Sequence, residues 1–399
     1  MSKHARRSPD PAERIPLLTE RRNLKMARSA HAYVRGSTHR FYEWLEESGG
    51  GLPAGPPVWI CGDCHLGNLG PLADAHGQVA VQIRDLDQTV IGNPAHDLIR
   101  LGLSLASAAR GSDLPGVTTA HMIEEMTKGY ESALADEGTD TTEPMPDVVQ
   151  AVVHQALGRK WKHLARERIE DVKPTIPIGE QFWALSEQER HEIGRLFEGE
   201  HASAFMTTLH PGHGGRLTVH DVAYWVKGCS SLGLLRFAVL VGIGQGSDER
   251  YCLVDIKEAV AAAAPRAPGA AMPGDHARRV VEGARSLAPF LGERMSAMHL
   301  LGRPVVLREV LPQDLKLEID QLSRDEAVRA ARYLASVVGR AHARQMNAGA
   351  RVAWRRELGR NGGGLDAPPW LWSSVVQLVA AHEAAYLEHC RAHTLGRAA

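Results

Sequence analysis

Apolar residues recur at helical spacing over most of the chain and at alternate positions in a few short runs. From Ala30 to Glu47 the positions Tyr33, Val34, Phe41, Trp44 and Leu45 predict one amphipathic helix, or two broken at Gly36. After Asp97, the set Leu98, Leu101, Leu105 and Ala108 or Ala109 predicts a core helix. Residues 118–135, Asp147–Glu170 and Ser186–Gly199 read as further helices. Strand texture appears instead at Val58–Cys61 and at Val79, Val81 and Ile83, with turn-forming Asp74-Ala75-His76-Gly77 between them, so a hairpin is expected. It returns at Val226–Val241, Arg250–Ile256 and Arg303–Val310. Ser323–Gln345 predicts a long helix with a Ser323/Glu326 capping box and an apolar face of Val328, Ala331, Ala335 and Val338. Leu371–Cys390 predicts a last amphipathic helix, with Trp370 and Trp372 either packed at its start or marking a dimer contact. Pro9, Pro11 and Pro16 mark residues 1–28 as a basic arm, and His201–Gly215 reads as a polar, glycine-rich linker.

Composition adds bounds to this pattern. With 399 residues and 44% apolar content there is material for one large or two medium domains. The pattern suggests four segments: 1–56, arm and helix; 57–215, polar loop, hairpin and helical lobe; 216–322, a β-rich lobe; 323–399, helices packing on the helical lobe. A net charge of −1 gives no global electrostatic case for nucleic acid or an anionic membrane as partner. Five cysteines suggest no disulfide framework, and no apolar run is long enough to span a bilayer, so a soluble cytoplasmic protein is expected.

Candidate chemistry concentrates between Val58 and Arg100. The sequence Cys61-Gly62-Asp63-Cys64-His65 matches both the C-x-x-C redox pattern and the C-x-x-C-H haem-attachment pattern. Haem attachment needs export, and the N-terminus has no apolar targeting stretch. Gly67, Asn68, Gly70 and Pro71 oppose the helix that a thioredoxin-like site requires, and a zinc site would want a second ligand pair where Cys229, Cys252 and Cys390 are scattered singly. Two buried thiols beside a loop is the simpler reading.

A second template uses other residues of the same loop. Asn68 follows Asp63 by five positions and Asp85 follows it by 22, the spacing of a phosphoryl-transfer loop. There one Asp receives the acceptor's proton while the Asn and the second Asp hold magnesium. The hairpin would bring Asn68 and Asp85 to the same end, where two oxygen ligands can share one hard cation.

GDCHLGNLG followed by IRDLDQTVIGNPAHDL resembles the G-D-x-H-x-x-N, D-x-D and G-x-P-x-x-D-L series of the aminoglycoside phosphotransferase and protein-kinase-like superfamily. It resembles more closely an uncharacterised bacterial family, domain of unknown function 2252. The resemblance implies Asp63 as catalytic base, Asn68 and Asp85 as magnesium ligands, and Asp97 as a structural anchor of the loop. His65 reads as another loop brace, and Asp87 either assists the metal or caps the following turn. Where small-molecule kinases often carry His two residues before the base, this chain has Cys61. Arg35-Gly36 resembles an element of the same bacterial family and is either a helix stop or an arginine near phosphate.

Further along, the turn Gly228-Cys229-Ser230-Ser231-Leu232-Gly233 offers backbone amides and hydroxyls to a phosphate. The next strand delivers Lys257, and a helix over Asp275–Leu287 carries Glu282, matching the lysine and partner glutamate of kinase-like enzymes. The alternative for each is ordinary, a strand-end lysine in water and a surface glutamate. Arg303–Val310 would be the hinge strand of an adenine pocket, with Glu309 to Leu311 offering backbone groups. Lys160, Lys162, Arg166 and Arg168 form a basic helix face that is either simply solvated or steers an anionic substrate.

The helix ending VVGRAHARQ resembles the one that normally runs into the catalytic loop, yet here the loop comes first. The expected fold is therefore α+β, two-lobed, protein-kinase-like and circularly permuted, and the helix ending near Gln345 should pack against Val58–Cys61. The expected function is transfer of a phosphoryl group from ATP, with Mg²⁺, to a hydroxyl of a small molecule. Its rivals are AMP transfer or ligation on the same fold, a non-catalytic nucleotide-binding module, and a cysteine-based redox protein. Acceptor contacts are expected between Asp147 and Gly199.

Overall fold

The described residues open on a helix in place of the arm expected over 1–28. The computed structural model describes residues 8–48, 51–135, 143–168, 175–211, 216–229, 231–246, 249–317, 323–359 and 367–394. Helix α1 (Pro11–Met26) forms because Pro11 sits in the first turn, where its missing N–H costs nothing, and because Glu13 accepts from the Asp10 N–H at 3.2 Å. Pro16 forfeits one internal hydrogen bond, and tertiary contacts offset it: Leu18 is buried, and buried Arg14 pairs with Glu189 at 2.6 Å. Helices α2 (Ala30–Gly36) and α3 (Thr38–Ser48) follow, separated after Gly36 as the pattern predicts.

Strand β1 (Val58–Ile60) precedes a 3-10 turn at Leu66–Asn68, and strands β2 (Leu69–Ala73) and β3 (Val79–Ile83) form the expected hairpin with Leu69 opposite Ile83. Strand β4 (Val90–Gly92) pairs antiparallel with β1. Helices α4 (Ala95–Gly111), α5 (Gly116–Ala135), α6 (Asp147–Leu157) and α7 (Trp161–Arg168) come next. The helices expected over Asp147–Glu170 are α6 and α7, which divide where α6 ends at the cap Gly158.

The remaining elements build a six-stranded antiparallel sheet and its cover. Strand β5 (Phe182–Trp183) leads to helices α8 (Glu187–Glu198) and α9 (Glu200–Leu209), then β6 (Leu217–Trp225), β7 (Arg236–Ile243), β8 (Arg250–Glu258), α10 (His276–Leu287), α11 (Pro289–Gly292), β9 (Met295–Leu300) and β10 (Arg303–Val310). The sheet order is β5-β6-β7-β8-β10-β9. Helix α9 occupies most of the expected linker, because Ala202 and Met206, four residues apart, bury one helical face. The strand expected from Val226 ends at Trp225 instead. Ile193, Phe197 and Met206 pack on one sheet face with Val239 and Val254, and Phe182 packs with Trp225 and Leu253 on the other. The sheet unit therefore begins well before residue 216.

Helices α12 (Arg324–Ala343), α13 (Ala348–Leu358) and α14 (Pro369–His393) complete the chain. The Ser323/Glu326 capping box is formed. Helices α5 and α12 cross so closely that a Cβ on Gly129 would stand 2.0 Å from the Arg332 carbonyl oxygen, so only glycine fits there. Their core joins α4, the hairpin and α14 in one apolar cluster. Trp370 and Trp372 lean on it, and the Trp370 indole donates to the Leu358 carbonyl at 3.3 Å. Among the described residues no helix is long and apolar enough to cross a membrane.

Candidate active site

The loop after β1 is held from below by one carboxylate. Asp97, fully buried in the first turn of α4, accepts from the Cys61 N–H at 2.7 Å and the Gly62 N–H at 2.9 Å. Its Oδ2 also lies 3.1 Å from His342 Nε2 at the end of α12. The chain of contacts continues from His342 Nδ1 to the Tyr130 hydroxyl, 2.9 Å, which accepts from the Trp354 indole at 3.1 Å. Gly62 has φ +74° and a Cβ there would meet the Gln88 carbonyl oxygen at 2.1 Å, so the bend in front of Asp63 requires glycine. Two residues beyond the end of α12, Gln345 bonds to both backbone groups of Trp59 on β1, so this helix does pack against the Val58–Cys61 strand.

Asp63 is buried and fixed by Arg100, whose Nε donates to Oδ1 at 2.8 Å and whose Nη2 donates to the Val34 carbonyl. The second carboxylate oxygen lies 3.8 Å from His65 Nε2. Burial lowers His65 to about 3, so it is a neutral ring at pH 7. The Asn68 amide nitrogen donates to the Asp63 carbonyl at 3.0 Å, which orients the side chain and leaves its oxygen for another partner.

Arg84 N–H donates to the Asn68 carbonyl at 2.8 Å, so the hairpin does bring Asn68 and Asp85 to one end. There Lys257 arrives from β8, with Nζ 3.5 Å from Asp85 Oδ1 and in tight contact with Asp87 Oδ2. Burial alone would raise the Asp85 carboxyl, but the charges of Lys257 and Arg236 outweigh it and hold it below the usual carboxylate range. Asp87 is pushed up to about 6, first by burial and then by the Asp85 charge. Arg236 is itself held by two hydrogen bonds to Asp255, and this pair keeps Asp255 down at about 2 against the opposing effect of burial.

Part of this set faces a cleft of about 440 Å³ between the loop, the hairpin and the sheet, with Asp63, Asp87 and Lys257 set behind its lining. His65, Asn68 and Asp85 line it together with eight lysines and arginines, against two carboxylates in all. In a chain of net charge −1 that is a concentrated positive field, and it suits a polyanion. A larger cavity of about 910 Å³ shares Lys25, Arg28, Arg84 and Lys227 with it and extends to Trp225, Val310 and Leu311. Arg35 lies across Gly67, where a Cβ would stand 3.0 Å from its guanidinium carbon, and lines both the cleft and a third cavity of about 830 Å³ bounded by His31, Ser107 and Arg110.

Gly228 and Ser231 line the cleft, whereas Gly233 does not, and Ser230 lies outside the described residues. Gly228 has φ +94°, and its carbonyl accepts from Lys25 at 3.0 Å. Two expectations fail. Glu282 is exposed on α10 and is not an ion-pair partner of Lys257; the residue of α10 that reaches the cluster is Arg279, which donates to the carbonyls of Asp87, Thr89 and Val260. Glu309 offers no backbone group to an adenine, because its N–H donates to the Arg294 carbonyl at 3.2 Å and its carbonyl accepts from the Arg294 guanidinium at 2.8 Å. Its carboxylate faces His210 at 3.0 Å.

Three contributors escaped the sequence reading. Arg100 is hidden inside an apolar helical pattern, and the only sign of it is a charge where the helix must be buried. Helix α1 supplies Lys25 and Arg28 to the cleft and Arg21 to the adjoining cavity, and their spacing of four and three residues is a helical face. Arg84, lowered to about 10 by burial and the nearby Arg308, sits beside Asp85 with no motif to mark it.

The chain belongs to the bacterial family described as "Uncharacterized protein conserved in bacteria (DUF2252)", whose pattern matches residues 14–392. The match runs from α1 to the end of α14 and so includes every residue that lines the cleft. No curated protein and no solved structure matches the chain.

Proposed function

We propose that this protein transfers the terminal phosphoryl group of ATP to a hydroxyl of a small molecule, on a circularly permuted kinase-like fold. The observation that carries the proposal is the meeting of Lys257 with Asp85, 172 residues apart, at the wall of a cleft lined by eight cationic side chains. The order of parts agrees with it: a glycine turn between β6 and β7, a lysine on the next strand, then helix α10 and two more strands. Contact between the end of α12 and β1 supports the permutation.

The hard oxygen donors of Asp85 and Asn68 fit Mg²⁺, which when bound would neutralise phosphate charge. Arg84, Lys25, Arg28 and Lys227 hold the phosphates, and Trp225, Val310 and Leu311 offer apolar surface to a base. Asp63, with one oxygen locked by Arg100, presents the other to the acceptor hydroxyl and takes its proton as the new P–O bond forms and the bond to the ADP oxygen breaks. The acceptor enters from the cavity across Gly67, where Ser107, His31 and Arg35 offer polar groups to a small hydroxylated molecule. On this reading the acceptor contacts α2 and α4, in place of the Asp147–Gly199 segment that the sequence suggests.

Calorimetric titration with ATP, with and without Mg²⁺, tests the reading. Magnesium-dependent binding is expected, and a wild-type protein that binds no nucleotide under either condition overturns it.

A further inference from the structure

Away from the cleft, three side chains distant in sequence converge at another end of the sheet. His210 follows α9, Cys252 lies on β8 and Glu309 on β10. They are 8%, 2% and 5% exposed, and one ligand atom from each lies within 4.8 Å of the other two. Cys252 Sγ lies 3.6 Å from the Val241 carbonyl oxygen.

We propose that His210, Cys252 and Glu309 bind Zn²⁺. One imidazole nitrogen, one thiolate and one carboxylate form the mixed donor set that zinc accepts and that magnesium or calcium does not. Thiolate, carboxylate and Zn²⁺ sum to zero charge, so the occupied site is neutral in a place where an isolated ion would be costly. Zinc bonds of about 2.0–2.3 Å put tetrahedral ligand atoms about 3.3–3.8 Å apart, so His210 and Glu309, now 3.0 Å apart, open by a few tenths of an ångström while the thiol, within 4.8 Å of both, closes on them by roughly 1 Å at most. The thiol proton leaves as the Zn–S bond forms, with solvent as its acceptor.

The fourth position is open. His210 and Glu309 also line a cavity of about 850 Å³ with Pro211, Tyr251 and Arg294, which gives the ion a route in and leaves one coordination place for water or a ligand. The proposal does not depend on phosphoryl transfer. Cys61 and Cys64 are separate from this cluster and serve as the internal comparison.

The full chain, stripped with a chelator and reloaded with excess Zn²⁺, is passed through a desalting column and its metal content measured; Co²⁺ is then substituted and its absorption recorded. One retained equivalent of zinc is expected, together with the intense visible bands of tetrahedral cobalt and a thiolate-to-cobalt charge-transfer band. Cys252→Ala and, as a variant outside the sheet core, His210→Ala at the cavity wall should each reduce retained zinc to under about a tenth. A Cys61→Ala/Cys64→Ala double variant should keep it. No retained metal in the wild type, or retention that follows Cys61 and Cys64 instead, overturns the proposal.

Discussion

The side chain of Gln345 binds both backbone polar groups of Trp59: its Oε1 accepts from the Trp59 N–H at 2.8 Å and its Nε2 donates to the Trp59 carbonyl at 3.0 Å. An amide side chain thus does for β1 what a neighbouring strand would do. The partners are 286 residues apart in sequence.

Gln345→Ala removes both bonds and should destabilise the protein by about 1–3 kcal/mol. Urea denaturation followed by tryptophan fluorescence reads this directly, and an unchanged midpoint would remove Gln345 from the brace.

Asp85→Asn keeps the shape of the hairpin end but removes the charge facing Lys257. Magnesium-dependent nucleotide binding should be lost while any magnesium-independent component persists. Equal affinity of variant and wild type in the presence of Mg²⁺ would take Asp85 out of the metal site.

Asp63→Asn should reduce turnover by about 10²–10⁴-fold while sparing nucleotide binding. The variant also leaves Arg100 buried without its counter-charge, so a loss of about 3–5 kcal/mol in stability accompanies it. Binding measured well below the melting transition separates the two effects, and full activity would end the assignment.

Acid should weaken the fold earlier than carboxylate titration alone predicts. Burial lowers His65 to about 3 and His96 and His382 each to about 4. An unfolded histidine takes its proton near 6.5, so below that pH the unfolded chain binds up to three protons that the folded chain refuses, and stability falls with pH. Asp87 acts oppositely: its folded value of about 6 lies above the ordinary 3.8, so between these values the folded chain holds the extra proton and gains stability as pH falls. Net, about two protons remain, or roughly 3 kcal/mol per pH unit at most. Denaturation series from pH 7.5 to 4.5 should show this decline beginning near 6.5; a flat profile would contradict it.

Cys61→Ala and Cys64→Ala test the redox alternative. Both thiols are essentially fully buried, and Cys61 is raised well above the ordinary thiol range, first by its hydrogen bond with Cys64 and then by burial. Activity within a few-fold of wild type is expected in each variant; loss of activity with an intact fold would favour thiol chemistry.

The legible parts of this protein are local. Asp63, Asn68 and Asp85 sit within one loop and one hairpin, so their spacing is already their geometry, and the anchoring of the loop by Asp97 follows from the same stretch. Lys257 was placed through an ordered series of glycine turn and strand. What spacing does not carry is which side of a helix faces which lobe. Glu282 fits the expected helix and points to solvent, while Arg279 three residues earlier turns inward. The prolines of α1 concealed a helix because Arg14 and Leu18 gain their partners from residues near 190, not from their neighbours. His210, Cys252 and Glu309 meet only once the sheet has formed.

The braces of the Asp63 loop also order events in time. The ribosome makes that loop first, whereas His342 and Gln345 lie 245 and 286 residues beyond Asp97 and Trp59, the groups they brace. At usual elongation speeds the loop waits on the order of tens of seconds for its supports. Until then Asp97 lacks its imidazole neighbour and β1 lacks its amide partner. The nascent chain therefore cannot hold the Asp63 loop in its final shape, and whatever chemistry the cleft performs is withheld until Gln345 has been made and α12 has docked.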